Sequence, residues 1–503
     1  MAMNEKIRQA PPRATAMLEA LRGLGYSTAA ALADLIDNSI SAGAREVDIV
    51  FSWRDSKSCV YVLDNGCGMN DAQLESAMRL GEKNPLAARA TTDLGRFGMG
   101  LKTASFSQCR RLTVASRRDE HTHCLRWDLD ALASRHDDGW FMFEGPADDS
   151  EDVFSLLEEK ASGTLVLWEV LDRIVTAGYK SEDFLDLMDR VESHLAMVFH
   201  RFIEEPKPKM RLSINARRIS PWDPFMLGHP AKPWNSPIAR QNSLGGKVEV
   251  ECHVLPHKDR LSQSEFDEAS GPEGWTAQQG FYVYRNERLL VAGGWLGLGQ
   301  GRSWNKEESH RLARIRLDIP NSADALWKID IRKSIARPPV SLKPWLTQLA
   351  EDTRVRARKV FAFRGSPTPR LGGTAVEHAW RSDWTKSGTH YRIDDQHPAI
   401  KTVLDSAGAL LPLVKAMLRV IEETVPVQRI WLDTAENKDT PKTQFLDQPP
   451  ANVMEVLQVL FEDMVSRKGL TAESAKRLLS NMEPFHNYPS LVEALRLDEL
   501  PSA

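Results

Sequence analysis

Residues 31–44 read ALADLIDNSISAGA, and the interpretation of the whole chain starts from them. Apolar residues recur at helical spacing and Gly43 follows the last of them, so the stretch predicts a helix. Asp34 and Asn38 are four residues apart and share one helix face, whereas Asp37 lies off that face. A carboxylate and an amide oxygen together suit a water molecule and a hard cation such as Mg²⁺. Taken alone, the stretch is also typical of an amphipathic helix with a solvated acidic face.

A second informative stretch, VYVLDNGCGM, occupies residues 60–69. It predicts a strand that runs into Asp64 and is followed at once by Gly66 and Gly68. A carboxylate at a strand end can accept a hydrogen bond from an exocyclic amine. Glycines directly after it allow close approach of the backbone. By itself the pattern is equally compatible with an ordinary turn.

The third stretch, DLGRFGMGLKTASF, covers residues 93–106 and spaces Gly95, Gly98 and Gly100 as GxxGxG. A helix is predicted directly after these glycines, and the backbone N–H groups at its start favour an anion. Lys102 adds a positive charge suited to phosphate. The stretch lacks the GK[ST] of a Walker A loop and does not follow a strand as a Rossmann fingerprint does. A flexible surface loop is the alternative interpretation.

The composition limits the class of protein. The chain has 503 residues, so about three domains are expected, and 42% hydrophobic with 27% charged residues is typical of a soluble globular chain. A net charge of −4 excludes a globally basic protein but allows a local basic groove. Five cysteines without a CxxC pair argue against a disulfide scaffold. The sequence shows neither a signal peptide nor a membrane-spanning stretch, and a cytoplasmic location is expected.

In this order, the three stretches resemble the Bergerat ATP-binding fold of the GHKL superfamily, which includes gyrase, heat-shock chaperone, histidine kinase and MutL ATPases. They look like its N-box, its first glycine box and its second glycine box, and SGTLV at residues 162–166 is a fourth match. Within the superfamily the chain most resembles the MORC ATPases, through the strings LIDNS, DNGCGM, GRFGMGLK, INARRISPWDPF and GFYVYRNERLL.

The resemblance implies roles for single residues. Asn38 would ligate Mg²⁺, Asp34 would be the general base, and Asp64 would accept from the adenine amine. Lys333, in WKIDIRKS, is the candidate for a lysine that reaches the γ-phosphate. A lid at residues 81–98 would close over ATP. The nucleotide contacts implied by the resemblance are Asn38, Asp64, Gly66, Gly68, Met69, Gly95, Arg96, Phe97, Gly98, Met99, Gly100, Leu101, Lys102 and Thr164.

Two residues depart from the family pattern. The usual general base is Glu, and Asp34, one methylene shorter, stands in its place. Ser41 replaces an acidic residue near the end of the N-box. A base must come within about 2.6–3.2 Å of its water, so a shorter side chain predicts slow hydrolysis and a bound state that acts as a switch.

The expected fold class is α/β, an α+β sandwich in four parts. Residues 1–225 are expected to form the Bergerat ATP-binding domain, and residues 226–365 a transducer-like α/β domain of ribosomal-protein-S5-type fold. Residues 366–373, rich in Gly and Pro, are predicted to be a linker. Residues 374–503 are predicted to be a mostly helical C-terminal domain.

Two classes of function follow from the resemblance. In the first, the chain is a MORC-like ATPase that binds and slowly hydrolyses ATP with Mg²⁺ and forms a homodimer on ATP binding. The dimer would be a clamp or switch on duplex DNA, with operon-encoded protein partners and a role in anti-phage defence. In the second, it is a chaperone-like or signalling ATPase that acts on protein partners. No membrane partner is expected.

Two further features have two interpretations each. Arg354, Arg356 and Arg358 lie on a predicted helix and suit either a nucleic-acid patch or a solvated face. Trp295 and Trp304 flank a glycine-rich stretch that is typical of an aromatic binding loop or of a loop packed on a dimer partner.

Overall fold

The computed structural model shows two compact units, Met1–Arg364 and Gly365–Ala503. The residues it describes are 12–23, 25–82, 100–134, 139–243, 245–323, 326–330, 336–362, 378–385, 388–427, 430, 451–482 and 485–496.

The first unit contains ten helices among its described residues. They are α1 (Ala14–Arg22), α2 (Thr28–Ser41), α3 (Asp71–Met78), α4 (Gly100–Phe106), α5 (Leu129–Ser134), α6 (Glu151–Glu158), α7 (Ser181–Val198), α8 (His200–Ile203), α9 (Gln263–Ser270) and α10 (Lys343–Ala362).

Fourteen strands of the same unit form two sheets. The strands of the first sheet are β1 (Glu46–Ser52), β2 (Cys59–Asp64), β3 (Arg111–Arg118), β4 (His121–Asp128), β5 (Phe143–Glu144), β6 (Gly163–Glu169), β7 (Arg211–Ile214) and β8 (Arg217–Arg218). Those of the second sheet are β9 (Trp234–Asn235), β10 (Ala239–Ser243), β11 (Gly246–Val254), β12 (Gly280–Arg285), β13 (Arg288–Ala292) and β14 (Ala313–Ile319). The predicted mixed α/β class is confirmed.

Helix α2 forms where the pattern of residues 31–44 predicts it. The Ser27 hydroxyl caps its start by accepting from the Ala30 amide at 3.2 Å. Gly43, with a φ of +73°, adopts the left-handed conformation just after its end. The alternative of a solvated acidic face is wrong, because Asp34 and Asp37 are both buried. Buried carboxylates need hydrogen-bond or ion-pair partners, so this helix makes specific polar contacts in addition to apolar packing.

The first sheet has the strand order β5-β4-β3-β6-β2-β1-β7-β8, and α2 and α7 belong to the same hydrophobic core. Strand β1 alternates between half-buried and buried residues, as expected for a strand with one face on a core. Strand β2 is antiparallel to both β1 and β6, and its register sets Asp64 opposite Thr164. The sheet therefore brings a residue of the second quoted stretch beside one that lies 100 positions later.

The second sheet has the order β10-β11-β14-β12-β13, with β9 added to β11, and it has a core of its own. The predicted boundary near residue 225 lies between β8 and β9, and both sheets belong to one compact unit. The predicted linker at 366–373 lies outside the described residues.

One arginine of the basic helix α10 lies neither on a nucleic-acid patch nor on a solvated face, contrary to both interpretations of the sequence. Arg354 is 7% exposed, and its guanidinium lies 4.8 Å from the ring centre of Trp295 and 4.5 Å from that of Trp304. Arg356 stacks on Trp234 at 4.1 Å. Arg354 therefore belongs to the interior and not to a nucleic-acid patch. Both tryptophans of the glycine-rich stretch pack on it, and Trp295 is buried.

Polar contacts join the two sheets around helix α8. The Arg201 guanidinium makes a two-point ion pair with Asp318 of β14, at 2.6 and 3.2 Å. The Nε2 atom of His200 lies 2.8 Å from the Tyr284 hydroxyl of β12. Burial lowers the pKa of His200 to about 3, so this histidine is neutral at pH 7.

Acidification is expected to destabilise the first unit through His200. Its pKa lies near 6.5 in the unfolded chain and near 3 in the fold, so the unfolded state binds the proton first. The contribution is intact above pH 6.5 and is lost as the pH falls toward 3, at up to about 1.4 kcal/mol per pH unit. Thermal unfolding from pH 7 to 4 should show a shallower pH dependence for His200→Gln than for the wild type. His121→Gln, at an exposed histidine, is the control and should keep the wild-type slope; equal slopes for all three proteins would refute the assignment.

The described residues of the second unit are mostly helical, as predicted, but they also contain a hairpin that was not predicted from the sequence. The hairpin pairs β15 (Trp380–Thr385) with β16 (Gly388–Ile393). The helices are α11 (Pro398–Ser406), α12 (Leu411–Thr424), α13 (Ala451–Glu462), α14 (Ala472–Ser480) and α15 (Pro489–Ala494). In the described part of the chain, every helix is too short or too polar to span a membrane.

Candidate functional site

Asp64, at the end of β2, is the most completely held carboxylate of the site. It is 6% exposed, and its Oδ1 accepts from the Gly66 amide at 2.9 Å and from the Thr164 amide at 3.2 Å. Its Oδ2 accepts from the Ser39 hydroxyl at 2.7 Å. Burial raises the pKa of Asp64, and these three hydrogen bonds oppose the rise. The carboxylate is thus fixed in one orientation by donors from three separate segments.

The turn after Asp64 is too tight for any residue but glycine at two positions. A Cβ on Gly68, whose φ is +62°, would lie 2.0 Å from the carbonyl oxygen of Arg117. A Cβ on Gly66 would lie 2.8 Å from the Cβ of Ala42. Between them, the side chain of Cys67 is exposed, while its amide donates to the Ala42 carbonyl at 3.0 Å. The glycines predicted from the sequence are therefore required by the packing of this turn.

Ser116 of β3 connects Met69, in the stretch after the glycine turn, to Thr164 of β6. Its hydroxyl accepts from the Met69 amide at 2.8 Å and lies 2.9 Å from the Thr164 hydroxyl. Thr164, predicted to be a nucleotide contact, donates to Asp64 through its backbone amide, while its hydroxyl contacts Ser116. Ser116 and Ser39 were missed. Only the pairing of β3 with β6, which sets Ser116 opposite Thr164, identifies the former.

Asp34 is held by neighbours that are distant in the sequence. It is 5% exposed, and its Oδ2 accepts from the Tyr26 hydroxyl at 3.2 Å. Its Oδ1 lies 3.9 Å from the guanidinium of Arg288, which belongs to β13 of the second sheet. Burial, followed by the charge of Asp34, raises the pKa of Tyr26, so its hydroxyl stays a donor. Tyr26 and Arg288 were not identified from the sequence.

Asp34 of α2 also lies close to the start of α4. A Cβ on Gly100, the first residue of α4, would lie 3.8 Å from Oδ2 of Asp34. Ser39, which contacts Asp64, follows Asp34 by five residues, or about 7.5 Å along the helix at 1.5 Å per residue. The site thus has two buried carboxylates. Asp64 lies at the end of α2 that carries Ser39, and Asp34 lies at the other end, beside the start of α4.

Asn38 is exposed, although Asp37 and Ser39 on either side of it in α2 are buried. Within the described residues its side-chain amide makes no hydrogen bond, so its oxygen is available to a ligand. No group of three or more His, Cys, Asp or Glu side chains in the same residues could hold a metal ion. Mg²⁺ keeps several waters and shares its coordination with phosphates, so a single amide oxygen near Asp34 fits that ion.

Lys102 is placed differently from the sequence expectation. It is 2% exposed, and its ammonium group donates to the carbonyls of Ala77 and Arg79 at 2.8 and 2.6 Å. These carbonyls end helix α3, where a positive charge is favourable. Its contact with phosphate therefore stays a prediction. Leu101 packs, half-buried, on the core of the first sheet.

Some predicted residues lie outside the described part of the chain. This applies to most of the lid at 81–98 and to the lysine expected at the γ-phosphate. The residues concerned are Gly95, Arg96, Phe97, Gly98, Met99 and Lys333.

Comparison with known proteins covers the part of the chain in which this site lies. A family model for histidine kinase-, DNA gyrase B- and HSP90-like ATPases matches residues 26–164, so the chain carries a GHKL-type ATPase domain there. Curated relatives include "ATPase morc-1" of Caenorhabditis elegans, 30% identical over 89 residues, or 18% of this chain and 10% of that protein. "ATPase MORC2B" of Mus musculus is 31% identical over 98 residues, 19% of this chain and 10% of that protein. "DNA mismatch repair protein MutL" of Rhizorhabdus wittichii is 34% identical over 122 residues, which are 24% of this chain and 19% of that protein. The chain thus matches between 10% and 19% of the length of these relatives.

Proposed function

We propose that the chain binds ATP and hydrolyses it slowly, and that the nucleotide state gates the pairing of two copies into a clamp on duplex DNA. The observation that carries this is the arrangement along α2. Ser39 holds Asp64 at one end, and Asp34 faces the start of α4 at the other. The GHKL-type domain at residues 26–164 supports the same nucleotide.

In the binding step, Asp64 accepts a hydrogen bond from the exocyclic amine of adenine. Its oxygens already accept from Gly66, Thr164 and Ser39, so the carboxylate does not have to reorganise. The glycine turn beside it lets the base approach the backbone. The first turn of α4 directs amide N–H groups toward the phosphates.

In the hydrolytic step, Asp34 takes a proton from water as the water oxygen attacks the γ-phosphorus. The bond from phosphorus to the bridging oxygen breaks, and ADP and inorganic phosphate are formed. Mg²⁺, when bound beside Asn38, supplies neutralisation of the phosphate charge. The Asp34 side chain is one methylene shorter than that of the Glu usual in such sites. Its carboxylate therefore lies farther from the water, and turnover is slow.

The remaining parts of the chain carry the output of the switch. Residues 226–365 act as the transducer, with Lys333 at the γ-phosphate, and residues 374–503 contact partners. The MutL relative is by name a DNA mismatch repair protein, which supports duplex DNA as the target. Because the net charge is −4, the DNA contact has to be local, and Arg358 and Lys359 are exposed on α10. The cytoplasmic location and the role in anti-phage defence that are expected from the sequence are part of the same proposal.

Titration calorimetry with a non-hydrolysable ATP analogue, and phosphate release with and without duplex DNA, test the proposal. We expect magnesium-dependent binding, slow release of phosphate, stimulation by DNA and a larger hydrodynamic size with the analogue. The double variant Arg358→Glu, Lys359→Glu should weaken DNA stimulation, whereas Lys57→Glu, an exposed lysine near β1, should not. Absence of nucleotide binding would refute the proposal as a whole. Turnover that responds to protein clients but not to DNA would instead support the chaperone-like or signalling alternative.

A further inference from the structure

Arg288, in β13 of the second sheet, contacts two carboxylates of helix α2. Its Nε lies 3.2 and 3.1 Å from the two carboxylate oxygens of Asp37, and its Nη2 lies 3.9 Å from Oδ1 of Asp34. Its Nη1 donates to the carbonyl of Leu289 at 2.9 Å. Both Arg288 and Asp37 are buried, at 4% and 1% exposure. One guanidinium thus faces two carboxylates of α2 at once.

The hairpin that carries Arg288 directs it toward α2. Strands β12 and β13 are joined by Asn286 and Glu287, whose φ angles are +47° and +68°. Positive φ at both central residues is typical of the tight hairpin turn that matches strand twist. The turn places Arg288 as the first residue of β13. Helix α7, which packs in the core of the first sheet, contacts this strand. Arg288 also lies 5.9 Å from the ring centre of Phe199, which follows α7.

A structural role alone accounts poorly for this arrangement. A buried ion pair costs desolvation of both ions, and an apolar pair of similar volume is often as stable. The sheets are already joined by the ion pair of Arg201 with Asp318. What distinguishes Arg288 is its second carboxylate, since Asp34 is the residue expected to activate water.

We propose that Arg288 is a positioning residue for hydrolysis: from the second sheet it fixes Asp37 and orients Asp34, while leaving nucleotide binding at Asp64 unaffected. This inference rests on the proposed ATPase function. Tyr26 holds the other oxygen of Asp34, at 3.2 Å, so the carboxylate is oriented from both sides. A shift of β13 relative to α2 would remove the contact of Arg288 with Asp34. The second sheet therefore controls the chemical step through Arg288.

The test compares Arg288→Gln and Asp37→Asn in the full-length chain. For each, kcat for ATP hydrolysis and the Kd for a non-hydrolysable ATP analogue are measured, with thermal unfolding to confirm folding. We expect kcat to fall about 10- to 100-fold, because small misplacements of a catalytic group cost that much, with Kd within about 3-fold. The double variant should be no slower than the single ones, since both remove the same contact. Arg288→Lys, which keeps the charge, should recover part of kcat.

Arg201→Gln is the control, because it breaks a different ion pair between the sheets, the one with Asp318, which lies away from α2. It should also lower the unfolding temperature, yet leave kcat within about 2-fold. If Arg288→Gln does not fold, Asp37→Asn, which keeps the size of the side chain, decides the question. A kcat equal to that of the control, or a Kd that rises in parallel with the loss of kcat, overturns the positioning role. A wild-type chain with no turnover overturns both this role and the proposed function, whereas turnover with unaffected variants overturns this role alone.

Discussion

Replacing Asp64 with asparagine is expected to weaken ATP binding about 30- to 100-fold, which corresponds to the loss of roughly 2–3 kcal/mol from charge-assisted hydrogen bonds. Both oxygens of Asp64 accept from the protein, through Gly66 and Thr164 on one and Ser39 on the other. An amide of the same size has one acceptor and one donor, so its NH₂ group must face another donor in a buried place. It also cannot accept fully from the adenine amine.

Titration calorimetry with a non-hydrolysable analogue measures the effect on Asp64 directly. Asp55→Asn is a suitable control, because Asp55 is exposed and lies in the turn between β1 and β2, away from the carboxylate network. Its Kd should match that of the wild type. If Asp64→Asn binds the analogue within about 3-fold of the wild type, Asp64 does not recognise the base. Guanine nucleotides should bind weakly to the wild type, since guanine has a carbonyl where adenine has its amine.

Replacing Asp34 with asparagine is expected to lower kcat about 100- to 1000-fold and to leave the Kd for the analogue within about 3-fold. Removal of a general base costs on the order of 10²–10⁴ in rate, and an amide cannot take a proton from water. Asparagine keeps the volume of Asp34, so the contact with Tyr26 and the packing beside Gly100 are retained. The effect is therefore chemical and not structural.

Phosphate release under saturating ATP measures this effect. Asp34→Glu provides the comparison, because it keeps a carboxylate and extends it by one methylene toward the water. It should retain turnover that Asp34→Asn lacks, although the added methylene has to fit a site that is 5% exposed. Asp34→Asn with wild-type turnover would show that another group activates the water.

Local sequence patterns predicted the parts of the site that lie within one segment. Helix α2, the strand ending at Asp64 and the glycine turn after it follow from periodicity and turn chemistry, and each lies where the pattern predicts it. The lid at 81–98 and Lys333 are still predictions, because most of the lid and this lysine fall outside the described residues.

Contacts between distant segments were not predictable in the same way. Ser116 reaches the site through the pairing of β3 with β6, and Arg288 reaches α2 from 251 positions away. No periodicity records such pairings. The same cause explains two wrong interpretations. A run of charges looks solvated in a sequence, yet Asp37 and Arg354 are buried because their partners, Arg288 and two tryptophans, come from elsewhere.

The turn after Asp64 has a practical consequence for thiol chemistry. Of the five cysteines, Cys67 alone is exposed, and burial raises the pKa of each of the others, which makes them poorer nucleophiles: Cys59, Cys109, Cys124 and Cys252. An alkylating reagent would therefore modify the natural chain first at Cys67, three residues from Asp64, the carboxylate proposed to accept from adenine. If adenine binds beside Asp64 as proposed, a fluorophore attached there would report its occupancy without an engineered cysteine, and an electrophile carried by an adenine analogue would form a covalent inhibitor at the same atom.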